Sequence, residues 1–362
     1  MEKVRPFLLI TLVFLGLLIW QAWQDDYNKV GSGYENVQNK PVRELNSETN
    51  ASDLIPKEMA PKSKSLGTFQ PEKIDSNFSN TVSNSPISVE TDVFNINFSE
   101  KGASIATIKL LNYPIDIKDK NSPLPFLGIF SDTVFLHQGG LFGKDGLPTH
   151  HNDYKLVTPR DKLKIKEGAA NMKIQFLWDE APNYKVLKTY TLKRGSYLIS
   201  VDYEITNNGE NDFSVFLYEQ LKRTNQSSYN GMIYTFTGPV LSTPENRFEK
   251  FDYDDLSDKP IDVTSKDSWI GNMQHYFVAA LVPRAQSEVK FYSKILNSST
   301  YTVGFVTEEL RVPAMSQNSI STTIYAGPKK QDVLEKIAPG LDLTVDYGVL
   351  WFLAKPLFIV LN

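Results

Sequence analysis

The chain contains no cysteine and only four histidines among its 362 residues. Without cysteine it has no disulfide framework, no thiolate zinc site and no lipid-modified cysteine at the N-terminus. It also lacks a GxSxG nucleophile elbow and a glycine-rich phosphate loop. With 38 Lys and Arg against 42 Asp and Glu, it has no basic block that would bind nucleic acid. These absences leave no visible catalytic site, and the charge balance argues against a nucleic-acid partner.

Long apolar runs are rare, and the first is Val4–Trp23, VRPFLLITLVFLGLLIWQAW. A transmembrane helix needs about 20 mostly apolar residues. Trp20 and Trp23 suit the far membrane interface, and the positive charges of Lys3 and Arg5 favour a cytoplasmic N-terminus. The alternative is a cleaved signal peptide, which has a shorter apolar region and a small-residue cleavage site. We predict an uncleaved anchor over residues 1–23 and export of the rest.

The second apolar run closes the sequence, DYGVLWFLAKPLFIVLN over residues 346–362. It is too short to cross a bilayer. We predict that residues 341–362 return to the membrane as an interfacial amphipathic helix, with the charged end of one lysine reaching out of the lipid. The alternative is a buried segment of the preceding domain. The predicted interface residues of this segment are Trp351, Phe352, Lys355 and Phe358.

The sequence between the two apolar runs divides into a polar linker and a β domain. Residues 24–85 are rich in Asn, Ser, Lys, Glu and Pro, and such a composition buries too little surface to fold. From residue 86 to residue 340, short apolar alternations separated by turns predict a β-sandwich. The clearest are Met172–Trp178 and a hairpin that joins Val186–Leu192 to Tyr197–Ile205 through Gly195.

Two parts of this domain are predicted differently. The weak pattern of Tyr113–Lys164 predicts long loops and short strands. Gly327–Pro328 and Pro339–Gly340 bracket a predicted helix with an apolar stripe that packs on the sandwich. Its stripe consists of Val333 or Leu334, with Ile337 and Leu341.

Few residues offer site chemistry. Neighbouring His150 and His151 form a candidate metal site, but without ligand spacing a solvated loop is the favoured interpretation. His275 is predicted to be structural. An acidic cluster departs from the calcium-loop pattern at positions six and twelve, so we predict a solvated loop there; it comprises Asp252, Asp254, Asp255 and Asp258.

Six collinear motifs resemble one family, the YidC-type membrane protein insertases of Gram-negative bacteria. They cover the end of the anchor, four stretches of the β domain and the last part of the chain. The last is the most specific, with LDLTVDYG at Leu341–Gly348 and WF…KPLF after it. The other five are IWQAW at Ile19–Trp23, ISVETDV at Ile87–Val93, LKRGSY at Leu192–Tyr197, STPENRFEK at Ser242–Lys250 and SKDSWIGNMQHYF at Ser265–Phe277.

The resemblance implies a twisted β-super-sandwich, galactose-mutarotase-like, with C-terminal helical structure. It implies a periplasmic domain at the inner membrane, in a protein that inserts and folds inner-membrane proteins alone or with the Sec translocon. It also implies that the protein is not an enzyme and uses no cofactor. Members carry a five-helix membrane core, and its groove arginine lies outside this sequence. The alternatives are a carbohydrate-binding protein and an inert structural protein of the envelope, since a fold does not determine a function.

The resemblance also implies a docking surface for the accessory subunits SecD and SecF within Tyr234–Ala280. Exposed aromatic side chains are typical of protein interfaces. The alternative is that these side chains belong to the core, as strand aromatics usually do. The candidate partner-binding residues are Phe248, Phe251, Tyr253 and Trp269.

Overall fold

The computed structural model describes residues 87–345 apart from 117, 131–132, 145, 226–235, 285 and 298. Alternating apolar side chains form most of its strands, because period-two spacing places one face against a core. The strands are β1 (Ile87–Glu90), β2 (Phe94–Ser99), β3 (Ser104–Asp116), β4 (Asp119–Ile129), β5 (Val134–Gly143), β6 (Lys155–Leu156), β7 (Asn171–Trp178), β8 (Tyr184–Lys193), β9 (Leu198–Asn207), β10 (Phe213–Thr224), β11 (Gly238–Ser242), β12 (Glu249–Lys250), β13 (Asp262–Ser265), β14 (Trp269–Met273), β15 (Phe277–Pro283), β16 (Val289–Asn297), β17 (Thr300–Thr307), β18 (Leu310–Val312) and β19 (Ser316–Pro328).

The strands form two antiparallel sheets. A ten-stranded sheet has the order β1-β2-β3-β4-β5-β10-β17-β16-β13, with β18 also paired to β10. A nine-stranded sheet has the order β12-β11-β14-β15-β19-β9-β8-β7-β6. The predicted β-sandwich is therefore confirmed, and the chain crosses between the two sheets several times.

The two sheets pack face to face over one apolar core. The ring centroid of Phe98 on β2 lies 5.6 Å from that of Phe176 on β7 and 4.8 Å from that of Tyr190 on β8. The predicted β8–β9 hairpin is confirmed, with Gly195 at a φ of +70° in its turn. The amide N–H of Gly195 donates to the carboxylate of Asp92 at 2.8 Å, so this turn is tied to the β1–β2 turn.

The prediction of long loops and short strands over Tyr113–Lys164 is wrong for the first half of this range and right for the second. After β5 the chain forms loops and turns around the two-residue β6. Strands β3, β4 and β5 have 13, 11 and 10 residues. The register between β3 and β4 shifts near Pro114, and β5 contains adjacent glycines, Gly139 and Gly140. These residues interrupt an apolar alternation, and the strands form because neighbouring strands pair with them.

The predicted helix after Gly327–Pro328 is much shorter than expected. Both residues still pair with β15, so β19 continues to Pro328 and the α-helix α1 covers only Gln331–Leu334. The packing of the stripe is confirmed, because Leu334 and Leu341 are fully buried. Short 3₁₀ helices cover Arg160–Lys162, Asp255–Ser257 and Leu341–Thr344.

The predicted anchor, the polar linker and the predicted interfacial helix beyond residue 345 lie outside the described residues. Their six candidate interface residues lie there too, namely Trp20, Trp23, Trp351, Phe352, Lys355 and Phe358. Within the part of the chain that the structure describes, no helix has the length and apolar character needed to cross a membrane.

Candidate functional site

The four candidate partner-binding residues separate into two groups. Trp269 is fully buried, and its indole N–H donates to the carbonyl oxygen of Pro339 at 3.0 Å. Tyr253 is also buried, and its hydroxyl donates to the side-chain oxygen of Asn272 at 2.7 Å. These two aromatics are core residues: every residue of β14 is buried, and the loop after β12 places Tyr253 against it.

Phe248 and Phe251 are the candidates that keep partial exposure. Both are half-buried and pack against the main core. The Nζ atom of Lys250 lies 5.7 Å from the ring centroid of Phe248, so a cation covers part of the aromatic surface. Of the four aromatics, a partner would therefore touch Phe248 and Phe251, and this contact stays a prediction.

The histidines differ from their predictions. His150 is buried, and its ring Nδ1 lies 2.6 Å from the hydroxyl of Tyr218. The loop that carries it folds back onto β5, where the amide N–H of Leu141 donates to the carbonyl oxygen of Pro148. Burial, with a smaller contribution from the charge of His151, lowers the pKa of His150 well below its usual value. His275 is exposed beside Tyr276.

The acidic cluster is solvent-exposed, as predicted. Among the described residues, no group of three or more His, Asp or Glu side chains is placed to hold a metal ion. His150 thus lies in a buried loop, whereas the acidic residues of Asp252–Asp258 lie in a solvated one.

A polar cluster lies between the sheets, and sequence analysis missed it. We define it as His137 on β5, Glu219 on β10, Lys188 on β8 and Tyr203 on β9. The Nε2 atom of His137 lies 2.5 Å from a carboxylate oxygen of Glu219, and both side chains are fully buried. The hydroxyl of Tyr203 donates to the other carboxylate oxygen at 3.2 Å. The cluster thus joins the two sheets by hydrogen bonds within an apolar core.

Two structural details shape this polar cluster. Gly139 faces Glu219 in the β5–β10 ladder, and a Cβ atom at Gly139 would overlap the carboxylate of Glu219. Because glycine has no side chain, the carboxylate of Glu219 can lie over Gly139 and contact His137. The ring Nδ1 of His137 is buried without a hydrogen-bond partner among the described residues.

Lys188 is the buried cation of the polar cluster. Its Nζ donates to the carbonyl oxygen of Gly102 at 3.0 Å and lies 5.0 Å from the ring centroid of Tyr203. Burial lowers the pKa of Lys188 to about 8, and the negative charge of Glu219 partly opposes that shift. Because the pKa of Lys188 is lower in the folded state than in the unfolded state, the free energy of unfolding depends on pH.

We expect the stability of the chain to rise between pH 7 and pH 9.5 by about 2 kcal/mol more than that of a Lys188→Met variant. The unfolded lysine keeps its proton up to about pH 10.5, whereas the folded one releases it near pH 8. The folded state therefore binds fewer protons in this range, so a rise in pH favours it. Buried tyrosines with raised pKa values, Tyr190 and Tyr203, reverse the trend only above about pH 10.

Urea unfolding at several pH values measures this difference. The control is Lys185→Met, because Lys185 is exposed on the same strand. Equal pH dependence in the wild-type chain and in Lys188→Met would contradict a buried, titrating Lys188.

The polar cluster contains a histidine–glutamate pair, His137 and Glu219, that is buried away from solvent. A histidine next to a glutamate can exchange a proton, which is the chemistry of general acid–base catalysis. The side chains of His137 and Glu219 have no exposed surface, so a substrate in solvent does not reach them in this structure. Their arrangement therefore supports a role in joining the sheets.

Comparisons with known proteins agree with the motifs. The family model of the YidC periplasmic domain matches residues 86–360. A galactose mutarotase-like protein from Lactobacillus casei superposes with a TM-score of 0.46 at 12% identity, covering 67% of this chain and 100% of its own. At this level the likeness tells nothing of what this chain binds.

Several relatives are similar along the whole chain, and two of them serve as examples. "Membrane protein insertase YidC" of Legionella pneumophila strain Paris is 32% identical over 99% of this chain and 63% of its own length. The protein of the same name from Haemophilus influenzae strain Rd is 30% identical over 100% of this chain and 63% of its own. The chain therefore spans less than two-thirds of the length of these relatives, 63% in both cases. With the family model matching residues 86–360, the chain belongs to the YidC periplasmic domain family.

Proposed function

We propose that this chain is the N-terminal and periplasmic part of an inner-membrane insertase, which helps membrane proteins to insert, fold and assemble. The observation that carries the proposal is the family match over residues 86–360, together with relatives named membrane protein insertases. A polar or charged segment is costly to place in the bilayer centre, and an insertase lowers that cost. The substrates are nascent inner-membrane proteins.

The proposed arrangement in the membrane follows the two apolar runs. Residues 1–23 are the anchor with a cytoplasmic N-terminus, residues 24–85 are the periplasmic linker and residues 86–340 are the β domain. Residues 341–362 lead from the β domain, in which Leu341 is still buried, back to the lipid. The tryptophans of both runs would lie at the membrane interface.

The Sec translocon and its subunits SecD and SecF are the proposed protein partners. Phe248 and Phe251 support this part of the proposal. Each ring packs against the core with one part and exposes the rest, and exposed aromatic surface is typical of protein interfaces. The buried Trp269 and Tyr253 would support the surface from beneath.

A carbohydrate-binding function is the alternative. It would require His and acid side chains that converge in an open cleft. His137 and Glu219 do meet, but they do so inside the core with no exposed side-chain surface. No observation favours this alternative over the insertase.

The test is depletion of the natural protein in its own organism. A tagged inner-membrane protein with a periplasmic loop serves as the reporter, and protease added from the periplasmic side measures its insertion. We expect the protected fraction to rise on depletion and to return to normal when the full gene is restored. Unchanged insertion after full depletion would contradict the proposal.

A further inference from the structure

The inward face of β10 ends in a second buried charge. Alternate residues of this strand point into the sandwich, and Arg223 follows Glu219 and Leu221 in that series. Arg223 is 5% exposed, whereas its neighbour Lys222 lies on the other face of the strand. A charge is expensive to bury unless an opposite charge accompanies it.

Arg223 has no carboxylate partner among the described residues, and its Nη1 is buried without a hydrogen bond. Its surroundings are aromatic. The guanidinium carbon lies 4.7 Å from the ring centroid of Phe135, and a cation over a ring is attracted to it. Tyr301 is its partner in the β10–β17 ladder.

Phe135 and Tyr301 are joined by a third aromatic residue near Arg223, Tyr253. The ring centroids of Tyr253 and Tyr301 are 4.8 Å apart. Burial raises the pKa of Tyr253 to about 12, so its hydroxyl is neutral near pH 7 and supplies no negative charge. Burial also lowers the pKa of Arg223, and the neighbouring Tyr253 only partly opposes this shift.

The ten residues after Asn225 lie outside the described part of the chain, and only their composition bears on this site. Residues 226–235 read QSSYNGMIYT, which contains neither Asp nor Glu. Arg223 is a buried cation without a partner among the described residues, it is flanked by flat aromatic rings, and 5% of it is exposed to solvent. Such a cation suits a flat group with one negative charge. A carboxylate has that shape, and both of its oxygens can accept from one guanidinium.

We propose that Arg223, walled by Phe135, Tyr253 and Tyr301, is the recognition group of a carboxylate-binding site. A carboxylate would neutralise the cation, whereas a phosphate monoester would leave excess negative charge in the core. The carboxylate comes either from an acidic side chain of a partner protein or from a small free acid.

The experiment uses the full chain solubilised in detergent. It compares the thermal unfolding midpoint in sodium acetate with the midpoint in sodium chloride of equal ionic strength. We expect acetate to raise the midpoint of the wild-type chain by about 2–4 °C, because a ligand that binds only the folded state stabilises it. Arg223→Met should show no acetate shift. The matched control is Arg247→Met, because Arg247 is exposed and its loss should leave the shift intact.

Arg223→Met should fold, because an apolar side chain of similar length replaces an unpaired buried cation. If Arg223→Met fails to fold, Arg223→Lys gives the same test. Lysine keeps the positive charge but lacks the bidentate guanidinium, so the acetate shift of Arg223→Lys should be smaller than that of the wild-type chain. No acetate shift in the wild-type chain, or an equal shift in every variant, would overturn the site.

A second ligand distinguishes the two sources. The capped peptide acetyl-Gly-Asp-Gly-amide replaces acetate at the same concentration. A larger shift with the peptide assigns the site to a protein side chain, and a larger shift with acetate assigns it to a small free acid. A capped peptide with Asn in place of Asp should give no shift, because it carries no negative charge.

Discussion

Glu219→Ala is expected to lower the free energy of unfolding by about 3–5 kcal/mol, because it removes one member of a buried charged network. His137 and Tyr203 would each lose the carboxylate that accepts from them, and Lys188 would remain a buried cation without its neighbouring negative charge. Unfolding in urea at pH 7, followed by circular dichroism, measures the loss. For a domain of this size we expect a thermal midpoint about 10 °C lower.

Two further variants make this result specific. Glu204→Ala changes an exposed glutamate on β9 and should alter stability by less than about 0.5 kcal/mol. The double variant Glu219→Ala with Lys188→Met should be more stable than Glu219→Ala alone, because it no longer contains the orphaned cation. A loss below about 1 kcal/mol for Glu219→Ala would show that the polar cluster contributes little.

Trp269→Ala is expected to cost about 3–5 kcal/mol, the usual penalty for removing a large buried aromatic side chain. Its side chain is fully buried, and its N–H donates to Pro339, so it also fixes the last described segment to the nine-stranded sheet. The measurement is again equilibrium unfolding in urea. Trp269→Phe should cost less, because it keeps much of the volume and loses mainly the hydrogen bond.

This prediction separates packing from partner binding. If Trp269→Ala loses binding to Sec subunits, it should do so together with its stability. Tyr276→Ala, at an exposed aromatic residue of the turn after β14, should leave stability unchanged. A stable Trp269→Ala variant would mean that the tryptophan is not the core residue described here.

The strands that the sequence predicted best are those with one buried and one exposed face. Met172, Ile174, Phe176 and Trp178 are all buried in β7, and the residues between them are more exposed. Strands β4 and β5, and the end of β3 beyond Pro114, were missed because prolines and glycines break the alternation, and their pairing depends on distant neighbours. The helix was overextended because Gly327–Pro328 belongs to a sheet ladder, and a local pattern does not reveal this.

The polar cluster escaped prediction for a similar reason. His137 and Glu219 are 82 positions apart, so no local motif joins them. A usable signal was nonetheless present. Glu219 stands at an inward position of an alternating strand, as does Lys188 between Val186 and Tyr190. A charged residue on the apolar face of a predicted strand indicates a buried partner, because an unpaired charge there would be too costly.

The family match, by contrast, came from motifs distributed over the whole chain, and it carries the central claim that this domain belongs to an insertase. The most direct measurement of that claim is the depletion assay, with the protease-protected fraction of a tagged inner-membrane reporter as its readout. We expect the protected fraction to rise when the protein is depleted and to fall back when the full gene is restored. A reporter that inserts normally without the protein would contradict the account.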